Sequence, residues 1–296
     1  MSSHLSELCK ASEVGPIIEQ LRQLCPQRLS FDAAEEEKGI PVASGFTSEA
    51  DEQMRCTFGG IWGHQDDDGR TALHWAVAMR NFSLARTLMK APYFALALSE
   101  DHGGASPFTT ACMVAAPGEF LSELLATAAL QRSWKVAREQ GGINNTPDSA
   151  TAGVGSDGAE AIDDPLVKHK LAILNQTDSH GNTPLLHAAG RGKLATVRLL
   201  LQWGASIDHQ NRRGQSALHR ATSRGASDVV EELVTTSQKE HSRAEHRRWM
   251  NLQDYRGDTA LFYASMENNE ELGRYLLRHG LDREIRNKEG KEFWEV

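Results

Sequence analysis

"NTPLLHAAGRGKLATVRLLLQWG", Asn182 to Gly204, decides the fold. Thr183 can cap a helix with its hydroxyl, and Pro184 suits the first helical position because it has no N–H to leave unbonded. Leu185 and Ala188 fall three apart on one face, and a residue as small as Ala188 lets a neighbouring helix approach closely. Gly192, nine after the cap, fits a left-handed C-terminal position. Leu194, Val197, Leu200 and Leu201 then make the core stripe of a second helix, which Gly204 ends. The stretch encodes helix, turn, helix, loop.

The phrase recurs as "DGRTALHWA" from Asp68, "GGASPFTTA" from Gly103, "RGQSALHRA" from Arg213 and "RGDTALFYA" from Arg256. The capping residues are Thr71, Ser106, Thr183, Ser216 and Thr259, with spacings of 35, 77, 33 and 43. Two spacings lie near 33, the ankyrin period; the others are that period plus inserts of about 44 and about 10 residues. Ala76, Ala111, Ala188, Ala221 and Ala264 each lie five after their cap, and Leu88, Leu200, Leu233 and Leu276 lie seventeen after. One copy cannot bury its own apolar stripe, whereas stacked neighbours can. The expected fold is all-α: an ankyrin-repeat solenoid of about six to seven helix-turn-helix repeats with hairpin-like loops.

Outside the regular copies the reading is coarser. Residues 1–31 are expected to form a degenerate capping repeat, because "LSELCKASEVGPIIEQLRQL", Leu5 to Leu24, carries two apolar stripes. Residues 32–64 form an acidic, turn-rich insert, and 65–135 hold the first repeats. Residues 136–170 are expected to be disordered, since "EQGGINNTPDSATAGVGSDGAEAIDDP", Glu139 to Pro165, has almost no large apolar residue to offset ordering entropy. Residues 171–296 hold the remaining repeats and a short C-terminal cap begun at Gly290. A charged insert over 235–248 could lengthen a helix but is not expected to carry core.

Composition excludes several function classes. A formal charge of −8 disfavours general nucleic-acid binding and favours a basic protein partner. Cys9, Cys25, Cys56 and Cys112 show no disulfide framework or CxxC pairing, and no apolar run approaches membrane-spanning length. A soluble, monomeric protein of the cytoplasm and nucleus is expected, without cofactor or metal. No catalytic group is expected: Cys112 lies in a core column, His241 and His246 read as a solvated basic face, and His74 and His219 as structural hydrogen-bonding groups.

The column four after each cap is Trp75, Thr110, His187, Arg220 and Tyr263. With plus two and plus five in the core, plus four and plus eight are expected to face a groove beside the loops. Exposed Trp, Tyr and Arg in one groove are the usual material of protein-binding hot spots.

"DDDGRTALHWAVA", "SALHRATSRG", "NLQDYRGDTALF" and the terminal "NKEGK", in this order, resemble the gankyrin family of ankyrin-repeat assembly chaperones of the 26S proteasome. The resemblance implies a non-enzymatic chaperone of the 19S regulatory particle. Its groove would bind the C-terminal domain of a proteasomal AAA ATPase subunit, the third of the base. It also implies groove roles for Arg70, Trp75, Arg191 and Glu267, beside which the repeat pattern places Arg220 and Tyr263. Two departures stand out: Ala105 replaces a second family tryptophan, and "YASME", Tyr263 to Glu267, lacks the Leu and Cys of the retinoblastoma-binding motif. An ankyrin-repeat kinase inhibitor or general interaction scaffold is the alternative.

Long surface loops cost only slowly rising closure entropy. Deleting Gly141 to Pro165 is therefore expected to move the melting temperature by no more than a few degrees. A scanning-calorimetry drop well beyond that would identify a structural element in the insert.

Overall fold

The computed structural model describes residues 8–10, 15–17, 19, 63–90, 95–139 and 164–295. Twelve α-helices are described: α1 Ala72–Ala78, α2 Phe82–Met89, α3 Pro107–Met113, α4 Gly118–Glu139, α5 Pro165–Leu174, α6 Pro184–Gly190, α7 Leu194–Gln202, α8 Ala217–Ser223, α9 Ser227–Glu240, α10 Arg243–Met250, α11 Ala260–Met266 and α12 Glu270–Arg278. A 3-10 turn follows at Phe293–Glu295, and no strand occurs among the described residues. Two compact units divide the chain: residues 1–102, 106–108 and 119–173, and residues 103–105, 109–118 and 174–296.

In the first unit Leu73, Ala76, Leu84, Leu88, Phe120, Leu121 and Leu124 are buried, and the Phe82 ring lies 4.9 Å from that of Phe120. Cys9 and Ile17 are fully buried as well. The Cys9 thiol points at the Ala72 carbonyl across 3.6 Å, and Asn81 Nδ2 donates to the Cys9 carbonyl at 3.2 Å. The few described residues of the expected N-terminal cap thus pack on the first repeat. The acidic segment at 32–62 lies outside the described residues.

In the second unit α6, α8 and α11 pack side by side, with α7 beside α9. Thr183 Oγ1 accepts the Leu186 N–H at 3.4 Å, with Pro184 in the first turn as expected. Ala188, Ala221 and Ala264 are at most 1% exposed, so no larger side chain fits between the first helices. Val197, Leu200, Leu233 and Leu276 fill the core between the helix pairs. The stripe on α7 departs from expectation at its start: Leu194 is only half-buried, and Thr196 is buried instead.

Both inserts differ from expectation. Helix α4 runs on to Glu139 and α5 starts at Pro165, with Ile173 and Leu174 buried, so the ends of 136–170 are helical; residues 140–163 lie outside the described residues. The 235–248 insert lengthens α9 to Glu240 and then forms α10, capped by Ser242 and Glu245 in a reciprocal box. It does carry core: Ser237, His246 and, just beyond, Trp249 and Met250 are buried. Alternation of Arg, Glu and His conceals that stripe in the sequence, because only two of the eight residues of α10 are large and apolar.

The loops are built on one repeated device. Oδ1 of Asp66, Asp178, Asn211, Asp254 and Asn287 accepts the backbone N–H groups two and four residues on, at 2.8–3.0 Å. Successive tips then bond to each other: His102 N–H to the Asp68 carbonyl in the first unit, and Arg212 to His180, Tyr255 to Arg213 and Lys288 to Arg256 in the second. Each tip passes directly over a glycine of the loop before it. A Cβ at Gly257, whose φ is +82°, would stand 2.7 Å from Lys288 N, whereas one at Gly290, φ +77°, meets nothing within 4 Å.

Left-handed backbone also recurs nine after every cap, at Arg80, Ala115, Gly192, Gly225 and Asn268. Only two of these five are glycine. Gly257→Ala combines left-handed strain of about 1–2 kcal/mol with a backbone collision, whereas Gly290→Ala carries the strain alone. Chemical denaturation is expected to show the former losing clearly more stability; equal losses would mean the tip-to-tip contact contributes nothing.

Candidate functional site

The plus-four column faces the loops, as expected, but most of it is occupied there. Trp75 Nε1 donates to Asp66 Oδ2 at 2.7 Å, His187 Nε2 lies 2.8 Å from Asp178 Oδ2, and the Tyr263 hydroxyl donates to Asp254 Oδ2 at 2.8 Å. In these three repeats the second oxygen of the loop aspartate holds the side chain nine residues on. Trp75 and Tyr263 are thus half-buried supports of their own loops. Arg70 is likewise engaged, 3.6 Å from the Asp101 carboxylate and stacked over the Trp75 ring at 4.9 Å.

Arg220 differs because its loop residue is Asn211. That amide spends Oδ1 on the loop and donates Nδ2 to Asn182 Oδ1 at 2.8 Å, leaving no carboxylate for a plus-four partner. The Arg220 guanidinium lies across Gly190, where a Cβ would come within 2.9–3.2 Å of it. Its Nε is buried with no hydrogen-bond partner. Burying a cationic donor without its partner is costly, and the half-buried guanidinium has no ion pair with a carboxylate among the described residues. On the same face of the second unit, eight after their caps, Arg191, Arg224 and Glu267 are exposed. Arg191 reaches only the Met113 sulfur, at 3.6 Å. The second unit therefore presents three arginines over two repeats and then, one repeat on, a carboxylate. Arg224 was absent from the residues singled out by sequence, although the plus-eight spacing marks it.

Two histidines of this unit, His187 and His219, are pushed toward the neutral form. Burial pushes the His187 pKa down, as do Arg220 and Arg191, and this outweighs the Asp178 bond that favours the cation. Burial does the same for His219, against the opposing pull of the Asp258 carbonyl. Its geometry gives a second reason: Nδ1 accepts the Ser216 N–H at 3.2 Å, while Nε2 donates to the Asp258 carbonyl of the next repeat at 3.2 Å. A proton on Nδ1 would remove that acceptor. His74 makes the same bond to the Thr71 N–H at 3.1 Å. Both histidines serve structure, as the sequence suggested.

The two described thiols, Cys9 and Cys112, are buried and poor nucleophiles. Burial pushes Cys9 up to about 12 and Cys112 higher still, and the thiolate is the reactive form. His246, expected to be solvated, is instead buried between Ser237 Oγ at 2.9 Å and the His279 carbonyl at 3.1 Å. Among the described residues no cluster of His, Cys, Asp and Glu could hold a metal ion, and no helix is long and apolar enough to cross a membrane.

Comparison with known proteins agrees with this architecture. Models of ankyrin repeats match residues 158–243, as three copies, and residues 68–95 and 256–288. The chain is 30% identical over 118 residues to the Caenorhabditis elegans homolog of transient receptor potential cation channel subfamily A member 1, covering 40% of this chain and 9% of that protein. It is 31% identical over 166 residues to the Mus musculus B-cell lymphoma 3 protein homolog, covering 56% of this chain and 35% of that protein. The chain thus spans only about a tenth to a third of the length of these relatives. The crystal structure of the ankyrin repeat domain of Bcl-3 superposes with a TM-score of 0.53 at 23% identity, covering 82% of this chain and 85% of that one. The fold is that of ankyrin repeats, a scaffold for protein–protein interaction.

Because the folded-state pKa values of His187 and His219 lie below the usual 6.5, their contribution to stability is complete above pH 6.5 and is lost as pH falls through it toward the folded values. Wild type is expected to lose melting temperature between about pH 7.5 and 5.5. The loss should shrink in His219→Gln, as thermal melts at matched pH would show. An unchanged pH slope in the variant would remove His219 as its source.

Proposed function

We propose that this ankyrin-repeat chain is a non-enzymatic scaffold that binds a partner protein across its first-helix face. Within that class we propose an assembly chaperone for the C-terminal domain of a proteasomal AAA ATPase subunit. One observation carries the binding reading: Arg220, with a buried and unpartnered Nε, stands beside the exposed Arg191 and Arg224, one repeat before Glu267. A face whose charge changes sign from one repeat to the next selects a client with an acidic and a basic patch at matching separation. The narrower identity rests on the resemblance of "RTALHW", "SALHRATSRG" and "NKEGK" to the gankyrin family, whose groove charges fall at Arg70, Arg191 and Glu267 here.

Within such an interface Arg191 and Arg220 would meet the acidic patch and Glu267 the basic one. Holding the ATPase domain on this face would occlude its docking onto the proteolytic core until the base is assembled. A second reading, an interaction scaffold for other clients such as a kinase, is favoured by the similarity to B-cell lymphoma 3 protein in both sequence and structure.

Affinity purification of tagged chain from cell extract separates the two, because recovery of kinases without proteasomal ATPases would overturn the chaperone. For the direct contact, the recombinant ATPase C-terminal domain is titrated calorimetrically into wild type, Glu267→Lys and Arg220→Gln. Loss of a desolvated partner is expected to cost about 2–5 kcal/mol, against less than about 1 kcal/mol for an exposed rim pair. The larger loss is expected at Arg220, with both variants folded. Unchanged affinity in both would remove the face from the interface.

A further inference from the structure

Helix α10 does more than fill core. Between it, the end of α9 and the loop at 279–283 lies an open pocket of about 780 Å³, within the second unit. Its floor is fixed by a web of bonds. His246 bridges Ser237 Oγ and the His279 carbonyl. Asn251 donates to the Gly280 carbonyl at 3.1 Å and accepts the Asp282 N–H at 2.7 Å. His279 stacks on Tyr275 with ring centroids 4.1 Å apart.

Around this floor stand Arg243, Arg247, Arg278 and Arg283, all exposed. None of their guanidinium groups has an ion pair or hydrogen bond to a carboxylate among the described residues; Arg283 only approaches the Trp294 ring, at 5.9 Å. The neighbouring acids are committed elsewhere or outnumbered. Glu245 caps α10 through the Ser242 N–H, Asp208 lies 3.4 Å from His241, and Asp282, the only carboxylate of the lining, accepts the Glu284 N–H.

Helix electrostatics accounts for Arg278, in the last turn of α12, and for Arg247 at the end of α10. It does not account for Arg243, which opens α10 at the positive end of the dipole. Four unpaired guanidiniums facing one carboxylate, on a floor already rigid, are complementary to a dense anion rather than to a single carboxylate. A phosphate monoester offers about two negative charges and three acceptor oxygens, and planar guanidiniums match it with paired hydrogen bonds. Pockets of this size take ligands larger than one phosphoryl group, which leaves room for the flanking residues of a polypeptide. We infer that the α10 pocket binds a phosphorylated segment of a partner protein, on a site separate from the first-helix face.

The test screens the full chain against a phosphoserine and phosphothreonine peptide library and its unphosphorylated counterpart. The tightest phosphopeptide is then titrated into wild type, Arg243→Gln/Arg247→Gln, Arg243→Lys/Arg247→Lys and Glu267→Lys. Capture that depends on phosphate is expected, with affinity reduced at least about tenfold in the Gln pair. The Lys pair should bind weakly, retaining charge without the fork, and Glu267→Lys should bind normally, which separates this site from the first-helix face. Melting curves check that the surface substitutions leave the fold intact. Three results would overturn the inference: phosphopeptides captured no better than their unphosphorylated forms, equal affinity in the Gln pair, or saturation by inositol hexakisphosphate with no phosphopeptide retained.

Discussion

In five loops a single side-chain oxygen, the Oδ1 of Asp66, Asp178, Asn211, Asp254 or Asn287, holds two backbone N–H groups, and the stacking of the repeats depends on it. With those donors satisfied, the tip turns over a glycine in left-handed conformation. The next tip can then lie directly on that glycine's backbone. The choice of Asp or Asn then sets where the remaining polar atom goes. Asp66, Asp178 and Asp254 use their second oxygen within their own repeat, on Trp75, His187 and Tyr263. Asn211 and Asn287 instead donate backward, to Asn182 and Asp258 of the repeat before. An Asn therefore ties two repeats together and gives up its own plus-four side chain. Arg220 has no carboxylate partner among the described residues for that reason.

Features that most copies repeat were legible in the sequence. The cap, the alanine at plus five and the leucine at plus seventeen answer to close helix packing, which tolerates little substitution. The loop Asp or Asn was equally written, at Asp66, Asp178, Asn211, Asp254 and Asn287, but its partners were not. The acceptor is constant while the donor nine residues on is indole, imidazole or phenol, so no fixed letter pair marks the bond. That concealment turned Trp75 and Tyr263 from free groove residues into half-committed ones. The left-handed turn nine after the cap was visible only at Gly192 and Gly225. Arg80, Ala115 and Asn268 adopt it at a cost that the surrounding helices impose, and nothing in their identity announces it.

Helix α10 was hidden for a different reason. Its exposed face is so rich in charge that the buried stripe, His246, Trp249 and Met250, does not stand out by composition. Two of these are anchored by ring nitrogens rather than by apolar area alone, with Trp249 Nε1 donating to the Ile207 carbonyl at 3.1 Å. A histidine that looked solvated is thus a buried bridge between the insert and the loop after α12.

Separate surfaces follow from this construction. In a repeat stack each unit answers mainly to its neighbours, so an insertion between two helix pairs perturbs only the adjoining turns. The first-helix face is set by what the loop Asx residue leaves unpaired at plus four and by the free choice of residue at plus eight. The α10 pocket is set by the insert and by the loop it grips through His246 and Asn251. No residue lining that pocket belongs to the plus-four or plus-eight columns. Charge can therefore be changed on one surface without passing through the bonds that build the other, and a scaffold made this way can hold one partner while a second, recognised by different chemistry, comes and goes.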